Sequence, residues 1–130
     1  YGDHRDLHLS LRRQRQMCIR DRSNSTIGWT QFVNRQKYID SYMMNENFIS
    51  WGCEDDEFYY RMSILGNRIA RIDDYVYHLE HSRTNNSWFS NPNFSNNWDL
   101  WNTIKTFDRK QLVDYYEGQE YLKTRRKQLA

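Results

Sequence analysis

The sequence predicts an α/β chain that ends in helices, on three observations. Short runs rich in β-branched and aromatic residues, at 27–32, 68–72 and 75–79, have the composition of strands. Between them, apolar residues recur three and four apart, as in Phe58, Met62 and Leu65, which marks an amphipathic helix. Beyond residue 96 only that helical spacing continues. With 130 residues, 38% of them hydrophobic, the chain can build one small domain with a modest core.

The first 22 residues differ in kind from the rest. "YGDHRDLHLSLRRQRQMCIRDR" has no apolar periodicity and is crowded with arginine, which ordinarily reads as a basic arm for nucleic acid. A more specific reading comes from the codons. "YGDHRDLH" is what TAC GGC GAC CAC CGA GAT CTA CAC encodes, and "RRQRQMCIRD" is what CGT CGG CAG CGT CAG ATG TGT ATA AGA GAC encodes. The two strings resemble translations of a flow-cell adapter and a transposase-type adapter, with "LSL" where a sample index would lie. Residues 1–22 are therefore read as non-native, disordered sequence and set aside from fold reasoning. Removing their six Arg and three Asp turns 19 basic and 17 acidic residues into 13 and 14, so the net charge passes from +2 to −1 and no nucleic-acid partner is expected. Cys18, His4 and His8 go as well. What stays is Cys53 alone, with neither a disulfide nor a CxxC metal site, and one histidine pair, His78 and His81. Ser23 is then an interior residue of a longer protein. No apolar run is long enough to span a membrane, and none forms a signal peptide.

The remaining elements follow in order. After the β-like run at 27–32, Asn34 is suited to cap a helix in which Tyr38, Ile39 and Tyr42 share a face. "NENFISWGC" is loop-like. From Glu54 a helix carries Phe58, Met62 and Leu65, widened by Tyr59 and Ile64, and Gly66 stands where a helix-ending glycine belongs. Strands at 68–72 and 75–79 flank Asp73 and Asp74. "SRTNNSWFSNPNFSNNW", dominated by Asn and Ser, reads as a long loop. Leu100, Trp101 and Ile104, with Trp98, suit one helix. Asp108 and Gln111 form a capping-box pattern for a second, along which Leu112, Tyr115, Tyr116, Gln119 and Leu122 are spaced. The tail "KTRRKQLA" reads as a solvated, frayed end. The organisation is thus 23–95 as one unit and 96–130 as a helical extension, without internal repeats.

One stretch carries chemistry. "WGCEDDEFYYR", residues 51–61, places Glu54, Asp55, Asp56 and Glu57 in the first turn of the predicted helix. Unpaired N–H groups and the helix dipole favour negative charge there, by about 0.3–1 kcal/mol per charge. One or two acids satisfy that preference; four repel one another. The alternatives are a structural helix start, or a site whose carboxylates grip sugar hydroxyls, hold a metal or accept a proton.

The order of the parts decides between them. Trp51, Gly52, Glu54, Asp55 and Asp56, then Arg61 and Gly66, then His81, Ser82 and Arg83, resemble the C-terminal half of the β-1,4-galactosyltransferase family and its bacterial relatives among inverting GT-A glycosyltransferases. The resemblance covers residues 26–86. It implies the C-terminal part of a GT-A, nucleotide-diphospho-sugar transferase fold. It also implies transfer of galactose or an N-acetylhexosamine from a UDP-sugar to a saccharide acceptor. By the same resemblance Asp55 is the catalytic base, Asp56 and Glu54 bind acceptor hydroxyls, and Trp51 is a platform for the acceptor ring. Gly52 lets the backbone approach the donor, and Arg83 reaches its diphosphate. His81, with His78, would bind Mn2+ or another divalent cation; His78 falls where vertebrate members place a methionine. Arg61 is read as pairing with acidic neighbours inside the fold.

Two departures stand out. Cys53 occupies the second glycine of the family's W-G-G, and no Asp-x-Asp precedes the region. The chain is accordingly expected to be a fragment, inactive alone, of a bacterial enzyme making surface polysaccharide in the cytoplasm or at the inner membrane face. Its Asn-rich loop reads most simply as a solvated connection, and the corresponding region of the family is a lid. The rival readings are a non-catalytic carbohydrate-binding module and an acidic metal-binding structural domain.

Overall fold

The computed structural model describes residues 31–71, 86 and 90–129. Residues 1–22, His78, His81, Arg83 and the predicted strand at 75–79 lie outside these residues. Regular structure among the described residues is helical: α1 (Arg35–Asp40), α2 (Glu54–Ile64), α3 (Phe94–Ile104), α4 (Arg109–Glu117) and α5 (Glu120–Leu129).

Local chemistry accounts for the ends of these helices. The Asn34 side chain accepts the Lys37 N–H at 3.1 Å and starts α1. α1 closes at Ser41 with the Met43 N–H on Tyr38 O at 2.9 Å and the Tyr42 N–H on Ile39 O at 3.1 Å. Tyr42 therefore leaves the helix in a left-handed turn, φ 71°, and does not continue the helical face as its spacing predicted. Its ring instead stacks on Tyr116, 5.0 Å between centroids. α2 ends as its glycine predicted: Gly66, φ 84°, donates to Ser63 O and Asn67 donates to Met62 O, the paired closure of a Schellman motif.

Further expectations are corrected where residues are described. Residues 31–32 and 68–71, the described parts of the runs read as strands at 27–32 and 68–72, have no regular structure, while residues 27–30 and 72 lie outside the described residues. A strand needs a partner for its backbone groups, and among the described residues none exists. α3 begins at Phe94, inside the stretch read as a loop, where Asn91 accepts twice, its Oδ1 from the Asn93 N–H and its carbonyl from the Phe94 N–H, each at 3.0 Å. The second C-terminal helix does not run unbroken to Leu122. It stops at Gly118, and α5 resumes at Glu120 and runs to Leu129, so the basic tail is helical, with residues 123–128 exposed. Asp108 and Gln111 make the expected capping box in full.

The core joins the middle of the chain to its end. Tyr42, Met43 and Phe48 pack with Ile104, Leu112, Tyr116 and Leu122. At its centre lies an ion pair, Arg61 Nε to Glu57 Oε1 at 2.7 Å, with both side chains essentially inaccessible to solvent. Arg61 also donates to Ser41 O, and its guanidinium lies 4.6 Å from the Tyr116 ring centre. Arg61 thus pairs inside the fold, as its position in the sequence predicted. Burial alone would disfavour the Arg61 cation, but the Glu57 carboxylate outweighs it and raises the pKa.

Candidate active site

The loop before α2 is wound tightly. Ser50, Gly52 and Cys53 have φ of 63°, 134° and 64°, three left-handed residues within four positions. Such conformations persist only where the surroundings over-determine them. The clamp here comes from α3. Asn97, 1% exposed, accepts the Ile49 N–H at 3.1 Å and donates to Ile49 O at 3.0 Å and Trp51 O at 3.3 Å. Asn91 donates to Trp51 O at 2.5 Å. These side chains satisfy backbone groups that a loop of this shape cannot pair within itself.

Gly52 has a packing reason as well as a conformational one. A Cβ there would sit 3.1 Å from Cδ2 of Phe94. Its N–H donates to Glu54 Oε2 at 2.6 Å, so one oxygen of Glu54 holds the loop to the helix start. Cys53 precedes α2 in a left-handed conformation, a position a glycine adopts without steric cost. Burial first, then Asp56 and Glu54, push its thiol up to about 11, so it is a neutral and weakly reactive group.

The four carboxylates of α2 diverge. Glu57 turns inward to Arg61 and Tyr116, and is therefore structural. Asp56 is exposed and Glu54 half-buried. Asp55 is half-buried and accepts from Gln31 Nε2 at 3.0 Å. Burial raises its pKa, Glu54 and Asp56 raise it further, and the Gln31 hydrogen bond draws it down. A carboxyl held above the ordinary aspartate range is chemically suited to take up a proton. Trp51, four positions earlier in the chain, leaves 39% of its surface exposed and stacks on Phe94 at 5.7 Å.

The structure thus gathers Trp51, Gly52, Glu54, Asp55 and Asp56 around one helix start, while His78, His81 and Arg83 lie outside the described residues. Among the described residues no three His, Cys, Asp or Glu side chains converge to hold a metal ion. Sequence reasoning missed Gln31, Asn91 and Asn97. The two asparagines stand in an Asn- and Ser-rich run whose composition signals only a loop, and nothing in the neighbourhood of Gln31 marks it.

Residues 10–82 match a model described as the N-terminal domain of galactosyltransferase, more than half of the chain. That match defines a function of the glycosyltransferase type, with sugar donor and acceptor substrates. The chain belongs to this galactosyltransferase family. The match includes the whole helix start of α2, begins within residues 1–22 and ends before α3. No curated protein and no solved structure gave a significant match.

Proposed function

We propose that the chain is catalytic sequence of a metal-dependent inverting glycosyltransferase of the GT-A type. It moves galactose or an N-acetylhexosamine from a UDP-sugar to a saccharide acceptor. The observation that carries the reading is Asp55: a half-buried carboxyl, held by Gln31 and made more basic by burial and two flanking carboxylates. In inverting transfer the acceptor hydroxyl attacks the anomeric carbon opposite the departing UDP, and its proton passes to a base. When Asp55 accepts that proton its charge is neutralised, which relieves its repulsion with Glu54 and Asp56. Asp56, exposed, and the second oxygen of Glu54 accept hydrogen bonds from acceptor hydroxyls. Trp51 lays its ring under the apolar face of the acceptor sugar.

His81, with His78, would hold a divalent cation, Mn2+ or similar, which when bound offsets the charge of the diphosphate. Arg83 would add a cation for the same group. No helix among the described residues is long and apolar enough to cross a membrane. A cytoplasmic site at the inner membrane face of a bacterium, where surface polysaccharide is assembled, remains part of this proposal.

The test is Asp55→Asn in the full-length protein, assayed with UDP-galactose and UDP-N-acetylgalactosamine in Mn2+. Loss of transfer by about 10²–10⁴-fold, with saccharide binding retained, supports the reading. Unchanged transfer refutes the role of Asp55. Sugar binding by a native protein that transfers nothing from either donor favours a non-catalytic carbohydrate-binding module.

A further inference from the structure

The peptide group between Trp51 and Gly52 is held from two sides. Its carbonyl, Trp51 O, accepts from Asn91 Nδ2 at 2.5 Å and from Asn97 Nδ2 at 3.3 Å. Its N–H, on Gly52, donates to Glu54 Oε2 at 2.6 Å. A trans peptide is planar and points its carbonyl and its N–H in opposite directions, so amides that fix the one also fix the other.

The two asparagines can face the peptide in only one way. Asn91 Oδ1 is taken by the Asn93 N–H and Asn97 Oδ1 by the Ile49 N–H, which leaves their NH2 groups for Trp51 O. Both side chains are buried, 3% and 1% exposed, and Gly52 is buried with them. Turned over, the peptide would set its carbonyl against the Glu54 carboxylate and its N–H against two amide donors, leaving buried groups unpaired on both sides. Glu54 is therefore met by a donor in a fixed direction. It gives Oε2 to the loop, and Oε1 takes no part in that contact.

We propose that Asn91 and Asn97 are positioning residues that act through the Trp51–Gly52 peptide to lock the Glu54 carboxylate, so that Oε1 alone is presented to an acceptor hydroxyl. This rests on the transferase reading above, in which Glu54 binds the acceptor. A carboxylate already held by one oxygen loses little further freedom when a hydroxyl docks on the other, so the acceptor is bound more tightly and in one orientation. Residues 91 and 97 lie outside the matched residues 10–82, so this support comes from a part of the chain that the family match does not include.

The experiment compares substitutions at Asn91 in the full-length protein. Asn91→Asp keeps the acceptor for the Asn93 N–H and removes the donor to Trp51 O. Asn91→Ser does the same without a charge, being too short to reach Trp51 O. Residue-resolved amide exchange is expected to become about tenfold faster at Gly52 in both variants and to stay unchanged at Ile49, whose N–H is held by Asn97. With UDP-galactose as donor and N-acetylglucosamine and glucose as acceptors, KM for the acceptor is expected to rise about tenfold while kcat stays within about twofold. In a Glu54→Ala background the same substitutions are expected to change that KM by less than about twofold, because the group they position is gone. Unchanged exchange at Gly52, equal acceleration at Gly52 and Ile49, or a KM increase that persists in the Glu54→Ala background overturns the proposal. Transfer that is indifferent to Asp55→Asn defeats the catalytic reading but leaves the Gly52 and KM results standing, so the two failures are distinguishable.

Discussion

Tyr116 donates its hydroxyl to Glu57 Oε1 across 2.5 Å, so a residue of α4 closes the buried ion pair of α2. Asn45 donates to that same hydroxyl at 2.9 Å, which ties the loop after α1 into the network. Glu57→Gln leaves the Arg61 charge buried without a counter-ion and is expected to cost about 3–5 kcal/mol. Tyr116→Phe removes one hydrogen bond to a charged acceptor and is expected to cost about 1.5–3 kcal/mol. Asp56→Asn, on the exposed side of the same helix turn, is expected to change stability by less than about 0.5 kcal/mol. Urea unfolding midpoints of the three variants check the ranking.

Asn97→Ala removes the three hydrogen bonds that bind Ile49 and Trp51 to α3. Buried backbone groups left unpaired cost about 1–3 kcal/mol each, less whatever water recovers. Asn97→Asp keeps the acceptor for the Ile49 N–H but sets a carboxylate against two carbonyl oxygens, and is expected to destabilise as well. Hydrogen exchange at the Ile49 amide reports the loss directly. Protection equal to the native protein in both variants would contradict the clamp.

Gly52→Ala meets two penalties at once, the left-handed φ of 134° and a Cβ 3.1 Å from Phe94. A loss of about 1–3 kcal/mol is expected from the backbone conformation alone. In the double variant with Phe94→Ala the contact is relieved but the conformational penalty persists, so the Gly52 substitution is expected to remain destabilising there. Thermal unfolding of the single and double variants separates the two contributions.

Asp55 gives a pH dependence with a definite sign. Its pKa in the folded chain is raised by burial, Glu54 and Asp56, so the unfolded chain ionises first as pH rises. This carboxyl therefore costs the fold nothing in acid and opposes it increasingly as pH rises through the folded value. A base must be ionised to act, so the acid limb of kcat/KM is expected above the range of an ordinary aspartate. Gln31→Ala removes the hydrogen bond that lowers the value and should move the limb further up; Glu54→Gln should move it down. A limb unaffected by both variants would remove Asp55 from the proton transfer.

What could be read from the sequence alone was set by interactions within a few residues. The Asn34 cap, the Asp108 and Gln111 box, the Gly66 stop and the acidic first turn of α2 each depend on groups at most five positions apart. The order of Trp51, Gly52, Glu54, Asp55 and Asp56 also carried the family, since a motif is itself a local pattern. The tertiary structure decided the rest. Glu57 is chemically like its three neighbours, and only Tyr116, 59 residues away, and the burial of Arg61 make it a structural group while Asp55 stays half-buried and accepts from Gln31. Composition made Asn97 a loop residue; the backbone of Ile49, 48 positions earlier, gave its amide partners and made it helical and buried. Helix ends and motifs are legible because their partners lie nearby in the chain, whereas the direction a polar side chain takes depends on which distant groups the fold brings within hydrogen-bonding reach.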